Sequence, residues 1–289
     1  MPSSNKSFTL AKAIAKLKAG RGSGDRESYR GMTETLEFSS AGQQSLDYFP
    51  EVGHELHLPS LGQLMHFLLT AWRFARPGSG EPLMLLDYKQ ERPIPREVSQ
   101  AAALALGIPH PRYKGDREHT IITLDAQLDL VDQEDRVISS AWEVKRDANL
   151  ESPHTRRKIA LQRASSELLD MPFFVFRPEQ VPAAHFVAVR AAYDALDRTN
   201  LDPHCYVESG LRRGVVLDEL RTFHNKQPRK AQAMFVSEFG QFVDRRSNWN
   251  PGQAMRVMLQ LAWRCEIGWD WFPRRCYSQQ PVPTIKAAH

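Results

Sequence analysis

The sequence has few cysteines and no long apolar run. Its 289 residues include three cysteines, at positions 205, 265 and 276, and none forms a CxxC pair. This odd, unpaired set fits reduced thiols and argues against a small disulfide-bonded secreted domain. No stretch approaches the ~18–20 apolar residues of a membrane span, and the first twenty residues lack the apolar core of a signal peptide. We therefore expect a cytoplasmic protein with no membrane partner.

Several common functional motifs are also missing. The glycine-rich run at Gly20–Gly24 is not a GxGxxG that follows a strand, which argues against a dinucleotide site, and no GxSxG nucleophile motif occurs. What is present is an ordinary globular composition, with 42% hydrophobic and 25% charged residues. The length corresponds to about two domains.

The charge is distributed unevenly along the chain. From Gly210 to the end there are 13 Lys and Arg against 6 Asp and Glu, a balance of +7, whereas the whole chain carries only +4. A basic C-terminal third indicates either a surface that meets a polyanion or simply a solvated basic face.

Hydrophobic periodicity and turn residues predict an α/β fold in which helices flank a mixed sheet. Proline-rich residues near 178–183 predict a boundary, followed by a mostly helical segment with a short strand or wing at 267–272. The predicted helices are 7–19, 59–75, 95–106, 155–169, 183–196, 210–223, 230–243 and 252–265, and the predicted strands are 32–37, 44–49, 83–92, 120–131, 137–144 and a buried strand at 172–176.

One predicted hairpin carries residues suited to chemistry. Its first strand contains Asp125, and its second ends in Glu143-Val144-Lys145. Alternate residues of a strand point to the same face, so Glu143 and Lys145 share a face that Asp125 can approach. Two carboxylates and an ammonium are then expected at one edge of the sheet. The alternative is an exposed pair of strand residues with a neighbouring salt bridge.

Such a group is suited to phosphodiester hydrolysis. Carboxylate oxygens hold Mg²⁺, for which Mn²⁺ is expected to substitute, and the metal lowers the pKa of a bound water. Lysine supplies a compact charge that orients the nucleophile and stabilises the transition state. The helix that follows the hairpin carries Arg156, Arg157 and Lys158, which we expect to contact the DNA backbone.

Taken in order, these segments resemble the TnsA family, the endonuclease subunits of heteromeric transposases. The segments are the opening helix with its glycine-rich exit, His57-Leu58-Pro59-Ser60 before a helix, Leu106-Gly107-Ile108-Pro109, the Asp125 and Glu143-x-Lys145 hairpin, and the basic helix leading to the strand at 172–176. The resemblance covers nearly the whole N-terminal part of the chain.

The resemblance implies a restriction-endonuclease-like catalytic domain over residues 1–180 and a helical, winged-helix-type domain over residues 181–289. It implies Mg²⁺-dependent cleavage at the 5′ ends of a transposon in the bacterial cytoplasm. The expected partners are the DNA of the transposon ends, a TnsB-like transposase that cuts and joins the 3′ ends, and a TnsC-like AAA+ ATPase.

The chain departs from the pattern of this family at one position. Related nucleases usually place an acidic residue on the helix before the sheet, and the matching residue here is Gln63. Its amide oxygen can contact Mg²⁺ as an auxiliary ligand but brings no charge. Glu143 can compensate for this, or the chain can be a catalytically weak or inactive DNA-binding adaptor. A free-standing repair or restriction nuclease is a more distant alternative.

Overall fold

The computed structural model describes residues 9–34, 45–49, 52–76, 79–113, 118–196, 205–272 and 277–286. It forms two compact units, one made of Met1–Phe67 and Pro82–Glu179 and the other of Leu68–Glu81 and Gln180–His289. This grouping differs from the sequence-based division, which assigned Leu68–Glu81 to the first domain. In the described residues, no helix is both long and apolar enough to cross a lipid bilayer.

The first unit contains a four-stranded mixed sheet. The helices and strands of this unit are α1 (Leu10–Lys18), β1 (Ser45–Phe49), β2 (His54–Leu58), the start of α2 (Leu61–Phe74), β3 (Leu83–Pro93), α3 (Arg96–Ala105), β4 (Thr123–Asp132), β5 (Val137–Val144), α4 (Asp147–Leu150), α5 (Pro153–Glu167) and β6 (Phe173–Phe176). The strands of the sheet lie in the order β3, β4, β5, β6. Their pairs are antiparallel except for the parallel β5–β6 pair.

Helices cover both faces of this sheet, as the sequence predicts. Ala141 packs with Leu161 of α5 and with α3 in one apolar cluster. The next residue, Trp142, packs against His66 near the start of α2, with ring centroids 4.8 Å apart and the rings tilted by 41°. Because neighbouring strand residues point to opposite faces, α2 lies on one face and α3 and α5 on the other.

The β4–β5 hairpin has a locally determined turn. Asp132 Oδ1 accepts hydrogen bonds from the backbone N–H groups of Glu134 and Arg136, both at 2.9 Å, and Asp135 adopts φ 59°. An aspartate that bonds the backbone two residues on favours such a turn, and aspartate tolerates positive φ. The turn fixes the register that places Ala126 opposite Trp142.

The second unit is helical. It contains the end of α2 together with α6 (Ala183–Ala195), α7 (Cys205–Lys226), α8 (Pro228–Ala233), α9 (Val236–Ser247) and α10 (Gln253–Trp263). Leu220, Phe239 and Met258 belong to its buried core. The Asp244 carboxylate caps α10 by accepting from Gly252 N and Ala254 N, both at 2.7 Å.

Several N-terminal boundaries differ from the prediction. The first helix begins at Leu10 after the N-cap Thr9, and the predicted cap Ser7 lies outside the described residues. Met32–Glu34 form no strand, while residues 35–37 are not described. The strand His54–Leu58, which pairs with Ser45–Phe49, was not predicted.

The other differences lie at edges and breaks. The predicted helix 230–243 is two helices, because Glu238 accepts from the N–H of Phe235 and caps a new start. A strand or wing was predicted at 267–272, and no strand forms there: Ile267 makes a single bridge to Ile285, and the N–H of Asp270 donates to the Gln280 side chain at 3.0 Å. The last strand of the sheet is an edge strand rather than a buried one, with Phe174 44% exposed.

Candidate active site

Asp125, Glu143 and Lys145 meet at the end of the β4–β5 hairpin. Lys145 Nζ lies 3.2 Å from Asp125 Oδ2 and 2.6 Å from Glu143 Oε1. Asp125 Oδ2 also accepts from the backbone N–H of Val144 at 2.7 Å. The two carboxylate oxygens are therefore at most 5.8 Å apart, the sum of the two lysine distances. The predicted convergence of three side chains is present in the structure.

Two residues of α5 hold Glu143 in place, and the sequence analysis did not assign either of them to that role. The Glu143 side chain is fully buried. Lys158 Nζ donates to its Oε1 at 2.8 Å, and Gln162 Nε2 donates to its Oε2 at 2.7 Å. Lys158 and Gln162 are four residues apart on a helix, so they project from one face. With Lys145, they give this buried carboxylate three donors.

Lys145 stays protonated at neutral pH. Burial lowers the pKa of its ammonium, but the charges of Asp125 and Glu143 outweigh burial and raise the pKa above its ordinary value. A lysine in this state orients groups and offsets negative charge, and it is not a general base.

Gln63 lies near the start of α2 and is buried, with 6% of its surface exposed. Its backbone N–H donates to Ser60 Oγ at 3.2 Å, which caps the helix. Its Oε1 is buried with no hydrogen-bond partner in the described part of the chain. No hydrogen bond between described residues joins Gln63 to Asp125, Glu143 or Lys145.

The three basic residues of α5 fall into two groups. Arg156 is 63% exposed and pairs with Glu151 at 2.7 Å, and the exposed Arg157 donates to Pro153 O at 3.4 Å. Lys158 instead reaches Glu143. Arg156 and Arg157 thus remain available at the surface, whereas Lys158 belongs to the buried cluster.

Glu91 on β3 lies beside the site, and no sequence signal marked it. Its side chain is 9% exposed and accepts from Thr123 Oγ1 at 3.1 Å. The pKa of Glu91 is raised to about 7: burial contributes most and the charges of Asp125 and Glu143 add to it, while Lys158 and the Thr123 hydroxyl act in the opposite direction. Its backbone has φ 49°, a left-handed conformation that costs a non-glycine residue about 1–3 kcal/mol.

A cleft of about 590 Å³ opens beside Lys145. Its walls include Ser60 and Gly62 from the start of α2, Lys145 and Arg146 after β5, and Pro178. A Cβ on Gly62 would lie 3.0 Å from Pro178 Cγ and 3.1 Å from Val144 Cγ1. Glycine at position 62 therefore leaves room for this close approach.

A second acidic group on the same sheet is a different kind of centre. Asp25, Asp87 and Asp129 present carboxylate oxygens within 4.8 Å of one another. Lys89 already lies among them, 2.7 Å from Asp129, 3.8 Å from Asp87 and paired with Asp25. His54 Nε2 lies 3.0 Å from Asp87 Oδ1. An ammonium therefore lies among the three carboxylates, and we interpret the group as an ion cluster in which Asp87 and Asp129 are buried and Asp25 is exposed.

The donors around Glu143 suit a hard divalent cation. Carboxylate and amide oxygens are the ligands that Mg²⁺ takes, and Asp125 and Glu143 supply the carboxylates. Gln162 has no exposed surface, and its Oε1 is buried without a hydrogen-bond partner among the described residues. Its Nε2 is bound to Glu143, so this free amide oxygen lies in the cluster. The residues present therefore fit a magnesium site.

Comparison with known proteins finds a distant relative. No protein-family model matches the chain. The chain is 26% identical over 182 residues to the transposon Tn7 transposition protein TnsA of Escherichia coli. The aligned part spans 63% of this chain and 62% of that protein. The comparison supports a distantly TnsA-like protein, in agreement with the resemblance seen in the sequence.

Proposed function

We propose that this chain is the Mg²⁺-dependent endonuclease subunit of a heteromeric transposase and cleaves the 5′ ends of a transposon. The observation that carries the proposal is the contact of one ammonium, Lys145 Nζ, with both Asp125 and Glu143. The similarity to a transposition protein supports it. The domain division is part of the proposal, with a nuclease-type domain up to about residue 180 and a helical domain beyond it; a winged-helix type stays a prediction for the latter.

Asp125 and Glu143 are the proposed carboxylate ligands of the metal, and Gln162 offers an amide oxygen beside them. Gln63 stays an auxiliary candidate through its unpartnered Oε1. The metal, when bound, supplies a water of lowered pKa and neutralises charge on the phosphate. Mn²⁺ is expected to replace Mg²⁺.

Lys145 has two proposed tasks. Because it is protonated, it stabilises the negative charge that develops on the phosphoryl oxygens when a water oxygen bonds to phosphorus and a P–O bond breaks. It also holds the two carboxylates in place before the metal binds. Loss of one such electrostatic contact costs on the order of 10²–10³ in rate.

The DNA and protein partners are proposed on the same basis. Arg156 and Arg157 are exposed on the helix that carries Lys158, and guanidinium groups suit backbone phosphates. A TnsB-like transposase is the proposed source of end recognition, and a TnsC-like ATPase is the third component. The basic C-terminal residues offer a further surface for DNA.

The test is strand cleavage in the reconstituted complex. The purified chain, its TnsB-like and TnsC-like partners and DNA with labelled transposon ends are incubated with Mg²⁺ or Mn²⁺. Asp125→Asn and Lys145→Met are each expected to reduce 5′-strand cleavage at least 100-fold while the 3′ strand is still cut. Asp218→Asn, at an exposed α7 residue paired with Arg221, is the matched control and is expected to cleave normally. Normal 5′ cleavage by both site variants would refute the assignment.

An inactive adaptor is the second candidate function. The observation in its favour is that Glu143 already has three donors, Lys145, Lys158 and Gln162, while the helix residue is the neutral Gln63. This candidate predicts association with both partners without a 5′ cut under any metal condition. Gln63→Glu then distinguishes the two: a weak enzyme gains cleavage, and an inactive adaptor does not.

A further inference from the structure

The cluster around Glu143 has an unusual balance of charge for a cation site. Two ammonium groups, Lys145 and Lys158, contact Glu143, and Lys145 also contacts Asp125. The helix residue Gln63 adds no negative charge. Two carboxylates facing two ammoniums have no net negative charge, so a further carboxylate nearby strengthens the attraction for a divalent cation.

Glu91 is placed to supply it. In the antiparallel β3–β4 pair, Gln90 lies opposite Ala126 and Arg92 opposite Leu124, so Glu91 falls opposite Asp125. Its side chain is 9% exposed. It has no salt bridge to any described residue, although a buried carboxylate is normally paired or coordinated.

The surroundings of Glu91 connect it to the same site. Its one side-chain hydrogen bond among the described residues comes from Thr123 Oγ1, two residues before Asp125. Burial has the largest effect on its pKa, and the charges that follow are those of Asp125, Lys158 and Glu143. Gln162, whose Oε1 is unpartnered among the described residues, donates to Thr123 O at 2.8 Å as well as to Glu143, so Glu91 and Gln162 are both bonded to Thr123.

We infer that Glu91 is the third carboxylate of the divalent-cation site and supplies the negative charge that position 63 lacks. This inference rests on the proposed function. It adds a ligand from β3, opposite the hairpin, to the ligands from β4 and β5. Once Glu91 has lost its proton, three carboxylates face two ammoniums, and the net charge favours Mg²⁺.

The test measures cation binding by the intact chain without DNA. Isothermal titration with Mn²⁺ compares the wild type with Glu91→Gln, which keeps an acceptor for Thr123 and removes the charge. We expect binding at least 10-fold weaker in Glu91→Gln and a substantial recovery in the double variant Gln63→Glu, Glu91→Gln. Glu97→Gln, an exposed residue at the start of α3, is the matched control and is expected to bind as the wild type does.

Asp125→Asn distinguishes a failure of the Glu91 inference from a failure of the proposed metal site. If Asp125→Asn weakens Mn²⁺ binding and Glu91→Gln does not, the inference is overturned and the proposed metal site stands. If neither weakens it, the proposed metal site fails as well. Thermal unfolding in EDTA identifies a variant that has not folded. In that case Glu91→Asn replaces it, because asparagine lacks the carboxylate and tolerates the left-handed backbone of this position. Unchanged Mn²⁺ affinity in that variant overturns the inference.

Discussion

Lys145→Met gives a direct measure of how the cluster is held together before a metal binds. The substitution removes the ammonium that contacts both carboxylates and leaves an apolar chain of similar length. Removing one partner of a buried ion pair costs about 3–5 kcal/mol. Lys145 is 21% exposed and Glu143 keeps its contact with Lys158, so we expect the lower limit, ~3 kcal/mol.

This loss is large enough to measure by calorimetry. For a domain of this size, 1 kcal/mol corresponds to ~2–4 °C, so the melting temperature in EDTA is expected to fall by ~6–12 °C. A divalent cation that binds only the folded chain stabilises it by ~2.7 kcal/mol when present at 100 times its dissociation constant. Mn²⁺ is therefore expected to raise the melting temperature of Lys145→Met more than that of the wild type, where the ammonium opposes the cation.

Arg156→Met is the control for this prediction. Arg156 also pairs with a glutamate, but at the surface, where 63% of its side chain is exposed. Its loss is expected to cost less than ~1 kcal/mol and to be unaffected by Mn²⁺. A melting temperature of Lys145→Met in EDTA within 1 °C of the wild type (about the error of the scan) would refute the reasoning. An equal rise in melting temperature with Mn²⁺ in Lys145→Met and in the wild type would also refute it.

Three further predictions concern pH, salt and the second ion cluster. Folding raises the pKa of Glu91 to about 7, so between pH ~4.5 and ~7 the folded chain keeps a proton that the unfolded chain has lost. The free energy of unfolding therefore falls as the pH rises through this range. Glu91→Gln is expected to remove up to ~3 kcal/mol of this fall, measured by urea unfolding at pH 5 and pH 8. Replacing Arg156 and Arg157 by alanine is expected to reduce the slope of log affinity for duplex DNA against log salt by about 1.8, measured by fluorescence anisotropy, and an unchanged slope places the DNA elsewhere. Lys89→Met is expected to destabilise the chain by ~3–5 kcal/mol in urea unfolding, and a loss below ~1 kcal/mol would contradict our assignment of its cluster as an ion group that this lysine holds together.

The hairpin and its three charged residues could be predicted because they depend on local pattern. The alternation in β4 and β5 and the Asp132 turn determine the register, and the period of two places Glu143 and Lys145 together. The start of α2 could be predicted in the same way, because Ser60 precedes a run of apolar residues with helical spacing. Each of these depends on residues close in sequence.

The rest of the site depends on contacts between distant segments. The spacing of Lys158 and Gln162 in the sequence already places them on one helical face. The sequence does not show that both side chains bind Glu143. Glu91 becomes notable only through strand register, burial and a left-handed backbone. Gln63 was expected to be able to act as a ligand, yet its place in the chain alone gave no measure of its distance from Asp125.

The missed strand His54–Leu58 has a different cause. Its apolar residues alternate, and Leu56 and Leu58 are buried while Glu55 is exposed. The helix start at Pro59-Ser60 follows directly and is the stronger signal in this part of the sequence. A five-residue alternation next to a strong helix signal is easily overlooked, and pairing with Ser45–Phe49 is what stabilises it.

The strand β4 carries both charged groups of the sheet. Asp125 and Asp129 are four residues apart, about 13 Å along the strand. Replacement of either aspartate is therefore expected to abolish the proposed transposition activity in cells, but for different reasons. Variants of the Lys89 cluster lose stability and are expected to regain function at a low growth temperature. Variants of Asp125 lose a residue of the candidate site and are not expected to regain it.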